Sequence, residues 1–446
     1  MKFPRLLSLL PLFSVLAACG GKGSSAPAPG NLLIAAQDTQ LHLTWDALPG
    51  VEYWVFCAPN ASAIDSHSSP ATHSGWLYFT KIFSGDYYAT GLTNGTSYAC
   101  VVNGRYNEGP GGPDAVPSPL TSTPTYARAS WQAGNATVLS GMTVRAVAYG
   151  LPTGQGLTAD KFVAVGDGGK VASSNALDSH AVLSWGSPAQ ISGVTANFKA
   201  VSFYAAGNRF VAVGDGGRSA YSSDGSSWMA VSLPSASASM NALTSSGSPL
   251  IAVGNDGSQG LIYSSSDSGV TWSAVSGVST SSLRSVVYVP ASTPYWIAVG
   301  DGGVVLKSLN GTDWTSTTPA GTSVNFKAVA MLPVTDSTTV SYRVVAAGDD
   351  GRVIATTDGT NWTVTALPTS PAFVALHASK GQFMAVDALG NTFTSNQSAS
   401  SNWAWSAGVS SGASAPAAVL RYSPSFTGIS NGWMVFDSTG IQRIAR

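Results

Sequence analysis

The hydrophobic positions of this chain fall in short apolar runs that end in turns rich in glycine and aspartate. The stretch FVAVGDGG occupies residues 162–169 and returns unchanged at 210–217. Short apolar runs bounded by turn residues are typical of buried β-strands. Related stretches recur about every 40 to 50 residues, which makes seven copies; the other five lie at 250–257, 296–303, 344–351, 383–390 and 433–440.

Other elements recur in phase with these seven runs. Another short strand precedes each run, and a turn ending in tryptophan follows several of them. Four strands per repeat at this period predict the blades of a β-propeller. The seventh repeat lacks an outer strand at the C-terminus, and residues 130–139 are placed to supply it. We therefore predict an all-β chain with a seven-bladed propeller over 130–446, closed by its N-terminal outer strand.

The repeated GDGG is a turn in this reading. A phosphate-binding loop needs one glycine-rich turn that feeds the N-terminus of a helix. Here the turn leads into another strand in repeat after repeat. Its aspartates are expected to cap the turns, and we group them as Asp167, Asp215, Asp256, Asp301, Asp349, Asp387 and Asp437.

The turns that end in tryptophan carry a recognisable motif. Ser265, Asp267, Gly269 and Trp272 fit the pattern S-x-D-x-G-x-x-W, in which aspartate caps the turn, glycine supplies a positive φ and tryptophan fills space between blades. The propeller resembles the Asp-box, or bacterial neuraminidase repeat, propellers, and among them the photosystem II assembly and stability factor-like group. Shortened copies have Asp224 with Trp228, and Asp358 with Trp362.

Residues 31–121 resemble a fibronectin type III domain, a β-sandwich. Trp45 matches its buried tryptophan, and Leu92 to Tyr98 match its tyrosine corner. The resemblance makes the strands of Cys57 and Cys100 neighbours in one sheet, with both side chains on the core face. A disulfide is then expected outside the cytoplasm; two buried free thiols are the alternative. Residues 122–129 lie in a stretch that is rich in Pro, Ser and Thr, and they are predicted to link the two domains.

The N-terminus resembles a bacterial lipoprotein signal. Lys2 and Arg5 precede an apolar run that ends in LAAC. The resemblance implies a signal peptide over 1–18, lipidation of Cys19 and a flexible tether over 19–30; an ordinary signal peptide is the alternative. Because no Asp follows Cys19, we expect an outer-membrane lipoprotein that faces the periplasm or the cell surface.

The amino-acid composition limits the classes of partner that the chain is expected to bind. Charged residues make up only 10% of the chain and the net charge is −1, so no field attracts nucleic acid, and only the lipid anchor is expected to touch a membrane. We expect no cofactor and no metal site. The remaining partners are a protein or a glycan of the cell envelope, and the chain is expected to be a monomer.

Candidate catalytic chemistry is sparse. The two glutamates, Glu52 and Glu108, lie before the propeller, so no glutamate can activate a tyrosine nucleophile as in the sialidases that share the Asp-box. His180 and His377 fall in different repeats, which is poor material for a metal site. We expect a non-catalytic binding or assembly scaffold that acts through a propeller face; a glycan-active hydrolase of the Asp-box class is the alternative.

One pattern offers a binding site. A polar residue near the start of the inner strand recurs in the first five blades, and the last two blades have Val374 and Ala417 there. The five candidates are Arg145, Lys199, Asn241, Arg284 and Lys327. These residues form either a polar, partly cationic recess for an acidic peptide or an anionic glycan, or internal ion pairs of Lys199 with Asp215, Arg284 with Asp301 and Lys327 with Asp349.

Overall fold

A computed structural model describes most of the chain after residue 23. The described residues are 24–37, 40–59, 77–90, 92, 96–107, 112, 120–122, 131–133, 139, 141–152, 161–175, 184–244, 246–257, 259–278, 280–336, 339–379, 381–396, 405–422 and 432–445. The predicted signal peptide, Cys19, Glu108, His180 and nearly all of the predicted linker lie outside them. Two compact units form: Met1–Ala36 with Leu41–Ala89 and Gly95–Thr123, and Gln37–Gln40 with Thr90–Asn94 and Pro124–Arg446.

The first unit consists of two antiparallel sheets. Its strands are Ser24–Ser25 (β1), Gly30–Gln37 (β2), Gln40–Asp46 (β3), Glu52–Pro59 (β4), Leu77–Ile82 (β5), Asp86–Thr90 (β6), Tyr98–Tyr106 (β7) and Leu120–Ser122 (β8). One sheet has the order β2-β3-β6, and the other has β1-β7-β4-β5 with β8 also on β7. Leu41, Leu43 and Trp45 alternate inward along β3, and Trp45 packs edge-on against Tyr53 at 5.4 Å between ring centroids.

The disulfide prediction is confirmed. Cys57 and Cys100 are directly opposite each other in the β4–β7 pair, are bonded to each other, and are almost completely buried. The predicted tether differs in part. Ser24 and Ser25 pair with Arg105 and Tyr106 on the edge of β7, because β8 covers that edge only as far as Cys100; residues 24–25 are therefore a strand and not a free segment.

The second unit consists of strands that repeat in groups of four. The strand preceding the repeats is Gln132–Ala133 (β9). The first three groups are Val144–Gly150 (β10), Lys161–Gly166 (β11), Lys170–Asn175 (β12), Ser184–Trp185 (β13) with the extra strand Ala189–Gln190 (β14); Phe198–Tyr204 (β15), Arg209–Gly214 (β16), Arg218–Ser222 (β17), Met229–Ser232 (β18); and Ser239–Leu243 (β19), Leu250–Asn255 (β20), Gly260–Ser265 (β21), Ser273–Ala274 (β22).

The remaining groups follow the same plan. They are Leu283–Val289 (β23), Tyr295–Gly300 (β24), Val305–Ser308 (β25), Thr315–Ser316 (β26); Phe326–Asp336 (β27), Thr339–Gly348 (β28), Arg352–Thr356 (β29), Thr363–Ala366 (β30); Phe373–Ser379 (β31), Gln382–Asp387 (β32), Asn391–Asn396 (β33), Trp405–Ser410 (β34); and Pro416–Tyr422 (β35), Gly432–Asp437 (β36), Gln442–Ala445 (β37). Short 3₁₀ turns span Asp167–Gly169, Ala205–Gly207, Asp301–Gly303 and Asp349–Gly351.

These groups are the seven blades of a propeller. Each blade is an antiparallel sheet in which the first strand is innermost and the next strands follow outward. Every innermost strand contacts the innermost strand of the next blade, and β35 of the seventh contacts β10 of the first, so the ring is complete. The prediction of an all-β chain with a seven-bladed propeller is confirmed.

The continuous apolar runs are explained by burial on both faces of each second strand. Val163 and Val165 of β11 pack with Phe198 and Phe210 of the second blade. Phe162, on the other face of β11, packs with residues of the seventh blade. A strand between two covering sheets has no solvated face, so its sequence does not alternate between apolar and polar residues.

The start of the second unit closes the ring. Gln132 and Ala133 pair with Ile444 and Arg443, which makes β9 the outermost strand of the seventh blade. Of residues 130–139 the structure also describes Leu139, whose N–H donates to the carbonyl of Thr439 at 3.1 Å. The prediction that an N-terminal strand completes the seventh blade is confirmed, because β9 covers the outer edge of β37 at Arg443 and Ile444.

Candidate functional site

The five sequence-predicted polar residues lie at one end of the propeller. We call this end the turn face; it carries the turns between the second and third strands, at 166–169, 214–217, 254–257 with 259, 300–303, 348–351, 387–390 and 437–440. Because the start of each innermost strand pairs with the end of the second strand, as Val144 does with Gly166, residue 145 and its counterparts stand beside these turns.

A β-bulge places each of these residues. The register between the innermost and second strands shifts at one residue in every blade, and that residue is always the candidate position. A bulge leaves one residue unpaired in the ladder and re-aims its side chain. Arg145, Lys199 and Arg284 are bulge residues of this kind, as are Val374 and Ala417 in the last two blades.

Four of the candidates are cations, and each forms an ion pair with the turn of its own blade. Arg145 donates from Nε and Nη2 to both carboxylate oxygens of Asp167, at 2.8 and 3.0 Å. Arg284 binds Asp301 in the same two-pronged way, with Nε at 2.9 Å from Oδ1. The other two pairs are Lys199 with Asp215 at 2.7 Å and Lys327 with Asp349 at 3.6 Å. All three ion pairs proposed from the sequence are therefore present, with a fourth in blade 1.

The bulge residue and the turn residue change together in the other three blades. In blade 3 the bulge residue is Asn241, whose amide donates to the carbonyl of Leu283 at 2.7 Å, and Asn255 takes the place of the turn aspartate. Blades 6 and 7 have Val374 and Ala417 at the bulge. The cation and its carboxylate therefore occur as a pair or not at all.

The seven turn aspartates grouped from the sequence do not share one position in their turns, and three of them differ from Asp167. Asp256 lies one position later, because Gly254 has the register of Gly166 and Asn255 follows it. Asp387 pairs with Phe373 and Asp437 with Pro416, in the register that Gly166 has with Val144. Both are one position earlier than Asp167, and both are almost completely buried. Both cap their own turns, as the sequence predicted; the carboxylate of Asp437, for example, accepts from the N–H groups of Thr439 and Ile441.

Side chains between neighbouring blades hold the paired turns in place. Asn197 accepts from the Gly168 N–H of blade 1 at 3.0 Å and faces Asp215 of its own blade. Asn325 repeats this link, since it accepts from Gly302 N–H at 3.0 Å and donates to Asp349 at 3.0 Å. The ion pairs of the turn face are thus part of a network that spans blades and fixes their geometry.

The turns that end in tryptophan lie at the opposite end of the blades. Asp267 Oδ1 accepts from the N–H groups of Val270 and Thr271 at 3.1 and 2.8 Å, and the Ser265 hydroxyl accepts from Gly269 N–H at 2.8 Å. Asp224 and Asp358 cap their turns in the same way. The Trp228 ring donates to the carbonyl of Gly225, and Trp272 is buried, whereas Trp362 is half-buried.

A cavity of about 470 Å³ opens beside blade 6 on the turn face. Its walls come from the segment that enters the blade, from the turn after β32, and from β33 and β34; they include Ser370, Pro371, Leu389, Asn391, Phe393 and Ala407. No pattern in the sequence pointed to it, because these residues come from segments that are separated along the chain and that share no motif.

Comparison with known proteins identifies the architecture. No protein-family model matches the chain, and no curated protein matches its sequence. YCF48 bound to a D1 peptide is similar in structure, with 17% identity, 71% of this chain and 95% of that chain covered, and a TM-score of 0.51. The second unit is a β-propeller. Two further solved structures, the WD40 repeats of RRP9 (7% identity, 72% and 98% covered, TM-score 0.52) and U3-55K (6%, 72% and 99%, 0.52), support the same fold.

On the turn face, the charge of each ion-paired carboxylate is neutralised by the cation of its own blade. The hydrogen bond from Arg145 lowers the pKa of Asp167 below its ordinary value, and the hydrogen bond to Asp167 raises the pKa of Arg145. Burial acts to raise the pKa of Asp215, but hydrogen bonds from Lys199 and Ser239 outweigh it and the pKa is lowered. The carboxylates of Asp167 and Asp215 are therefore ionised at neutral pH, and each lies against a cation of its own blade.

The described residues offer little for catalysis or metal binding. No group of three His, Cys, Asp or Glu side chains in the described ranges is placed to hold a metal ion. His377 stacks edge-on against Trp433 at 5.9 Å between ring centroids. The described propeller aspartates with a resolved pKa shift are all shifted downward, whereas a general acid in glycoside hydrolysis needs a raised pKa.

The Asp-capped turns predict how stability depends on pH. In Asp224, Asp267 and Asp358 burial acts to raise the pKa, but hydrogen bonds from the turn outweigh it and the pKa is lowered. A lowered pKa in the folded state adds stability that is complete above the unfolded value of about 3.9 and is lost as the pH falls below it. We expect the thermal unfolding midpoint to fall steeply below about pH 4.

The variant Asp358→Asn tests this origin. Asn310 caps the equivalent turn of blade 4 through Oδ1, with N–H contacts from Thr312 and Asp313 at 3.0 and 2.8 Å, so asparagine suits the turn. The variant should fold and should lose less stability than the unsubstituted protein between about pH 4 and pH 2. Calorimetry over this range measures the difference, and an unchanged slope would show that Asp358 is not a source of the pH dependence.

Proposed function

We propose that the chain is a non-catalytic binding or assembly scaffold of the bacterial cell envelope that holds a protein partner on the turn face. The observation that carries the proposal is the network of charged pairs fixed by bulges and cross-blade hydrogen bonds. A surface whose charged and polar groups are already oriented loses little freedom on binding and selects partners by complementarity. YCF48, which has a similar fold, has been solved with a bound peptide.

A protein suits this surface better than a glycan. In the described part of the turn face, the segments that join outer strands to the next blade are rich in Ser, Thr, Ala, Gly and Pro, and they contain no aromatic ring on which a sugar could stack. Polar loops on a rigid scaffold are well suited to reading a polypeptide. A glycan ligand is therefore the second candidate.

The hydrolase alternative needs two carboxylates that converge on a substrate, about 5 to 9 Å apart, with one of them protonated at neutral pH. The turn-face aspartates Asp167, Asp215, Asp301 and Asp349 are instead engaged by cations of their own blades. Their role as structural partners of the bulge residues leaves no free acid and base among them, which favours binding over catalysis.

The remaining parts of the proposal concern anchoring and the first unit. We infer a lipid on Cys19 and an outer-membrane location from the resemblance of residues 1–19 to lipoprotein signals. Among the described residues no helix has the length and hydropathy to cross a membrane.

We also infer a fibronectin type III-like module, supported by two packed antiparallel sheets, by the pairing of β4 with β7 and by the buried Trp45. The module would be a spacer or a second contact.

Cross-linking in intact cells tests the proposed function. We expect the full-length chain to cross-link to a discrete protein in the membrane fraction, and the double variant Arg284→Gln, Lys327→Gln to lose that product. The two ion pairs are only partly buried, so each is expected to contribute about 1 kcal/mol, and this variant should remain folded. The matched control is Arg209→Gln, Lys307→Gln, which removes two cations at the other end of the blades.

The outcomes separate the parts of the proposal. A double variant that keeps the cross-linked product but unfolds at a lower temperature would show that the turn-face pairs are structural only. Cys19→Ala should move the chain from the membrane fraction to the soluble fraction. If it stays with the membrane, lipidation of Cys19 is not the anchor.

A further inference from the structure

Blades 3, 6 and 7 lack the charged pair of the turn face, and blades 6 and 7 have apolar bulge residues in its place. The bulge residues there are Val374 and Ala417, and Val374 is 40% exposed. In this part of the turn face lies the 470 Å³ cavity of blade 6, and Leu389 at its rim is 79% exposed, the most exposed large apolar side chain in the described part of the chain. An exposed apolar side chain at the mouth of a cavity with apolar walls is typical of contact sites.

The interior of the cavity carries no available charge. The carboxylate of Asp387 is almost completely buried and accepts from Leu389 N–H at 2.9 Å, from Asn391 N–H at 2.8 Å and from the Asn391 amide at 2.9 Å. Pro371, Phe393 and Ala407 supply apolar wall. The volume lies in the range of ligand sites, and this lining favours an uncharged apolar group.

One carboxylate stands at the edge of this site. Asp350 is exposed, with a φ of 59°, in the turn of blade 5. The next residue, Gly351, donates its N–H to the carbonyl of Pro371 in the cavity wall at 2.8 Å. Asp349 is paired with Lys327, but Asp350 forms no ion pair within the described ranges. The edge of the blade 6 cavity therefore presents a negative charge to a partner, whereas the carboxylates of the charged pairs on the turn face are neutralised by their cations.

We propose that the blade 6 cavity binds the aliphatic side chain of an extended peptide segment from a partner protein, and that Asp350 pairs with a lysine or arginine one or two residues away in that segment. The inference rests on the proposed function, because it concerns the same turn face. It adds the chemistry of the partner: an apolar anchor next to a positive charge, which the neutral cavity and the unpaired carboxylate complement.

Peptide display provides the test. Random dodecapeptides displayed on phage are selected against the immobilised full-length chain, and the enriched peptide is synthesised for fluorescence anisotropy. We expect a consensus with an aliphatic residue within two positions of Lys or Arg. Leu389→Asn, which removes the apolar rim, and Ala407→Leu, which fills the cavity from an exposed strand position, should each weaken binding at least about tenfold.

The charge is tested by a variant that keeps the backbone. Asparagine tolerates the positive φ of residue 350, so Asp350→Asn should fold, bind the peptide about 2- to 5-fold more weakly and reduce the salt dependence of binding. The matched apolar control is Leu309→Asn; Leu309 is 61% exposed in a tryptophan-ended turn at the other end of the blades. This control should bind the peptide like the unsubstituted protein.

Each contrary outcome is distinct. Failure to enrich a consensus, an acidic consensus, or binding that resists both Leu389→Asn and Ala407→Leu overturns the inference. If the selected peptide is instead lost with Arg284→Gln, Lys327→Gln, binding on the turn face stands and the cavity is not its site. If none of the turn-face variants changes binding, the proposed function of this face fails as well.

Discussion

Leu139→Ala is expected to lower the free energy of unfolding by about 2 to 5 kcal/mol, the usual cost of truncating a buried leucine. Leu139 is 2% exposed and packs with Met142, Val144 and Ala164 at the seam of the ring. Its N–H also bonds to the seventh blade. Truncation therefore weakens the contact that joins the first blade to the last, in addition to leaving a cavity.

Denaturant unfolding measures this cost, with Leu151→Ala as the control. Leu151 is in the same unit but 42% exposed, so its truncation should change the stability by less than about 0.5 kcal/mol. Limited proteolysis supplies a second readout, because an opened seam exposes strand edges. Equal stability of the two variants would show that Leu139 does not hold the ring closed.

Gly166→Ala is the second change with a large expected effect. Gly166 has an extended backbone, but a Cβ placed there would lie 1.9 Å from the carbonyl oxygen of Thr143. The corresponding glycines 214, 254, 300 and 348 meet a backbone carbonyl at 1.9 to 2.2 Å. Backbone has to move to admit the methyl group, so we expect a loss of about 3 kcal/mol or more.

Gly168→Ala is the matched control in the same turn. Gly168 has a φ of 68° and open space around its Cβ position. Alanine pays only the left-handed backbone term of about 1 to 2 kcal/mol there. Thermal and denaturant unfolding of the two variants compare steric crowding with backbone strain directly. If Gly168→Ala were the more damaging change, close approach would not be the reason for glycine at position 166.

The repeats made most of the fold predictable. Seven apolar runs in phase with a preceding strand and a following turn determined the number of blades, and counting strands in the last repeat indicated which segment closes the ring. The positions of the turn aspartates were also contained in the repeats. In the copies at 383–390 and 433–440 the aspartate is the fifth residue, where the first copy has Gly166, and the structure pairs Asp387 and Asp437 in the register of Gly166.

The site was predictable only where its residues repeat. Spacing within the blades identified the cations and three of their carboxylate partners. The bulges could not be predicted from the sequence, because no residue type marks the position that a β-ladder leaves unpaired. The blade 6 cavity was hidden for another reason: Ser370, Asn391 and Ala407 are brought together by the path of the chain around one blade, and each is an ordinary residue in its own segment.

The sevenfold bulge gives this propeller a way to change its specificity. The side chains at these seven positions are all at least partly exposed, and the chain itself already has arginine, lysine, asparagine, valine and alanine there on the same frame. Substitution of these seven bulge residues, together with the adjacent turn residues, would change the chemistry of the turn face while the strands keep their packing. The propeller thus has seven equivalent positions at which the chemistry of one surface can be exchanged blade by blade.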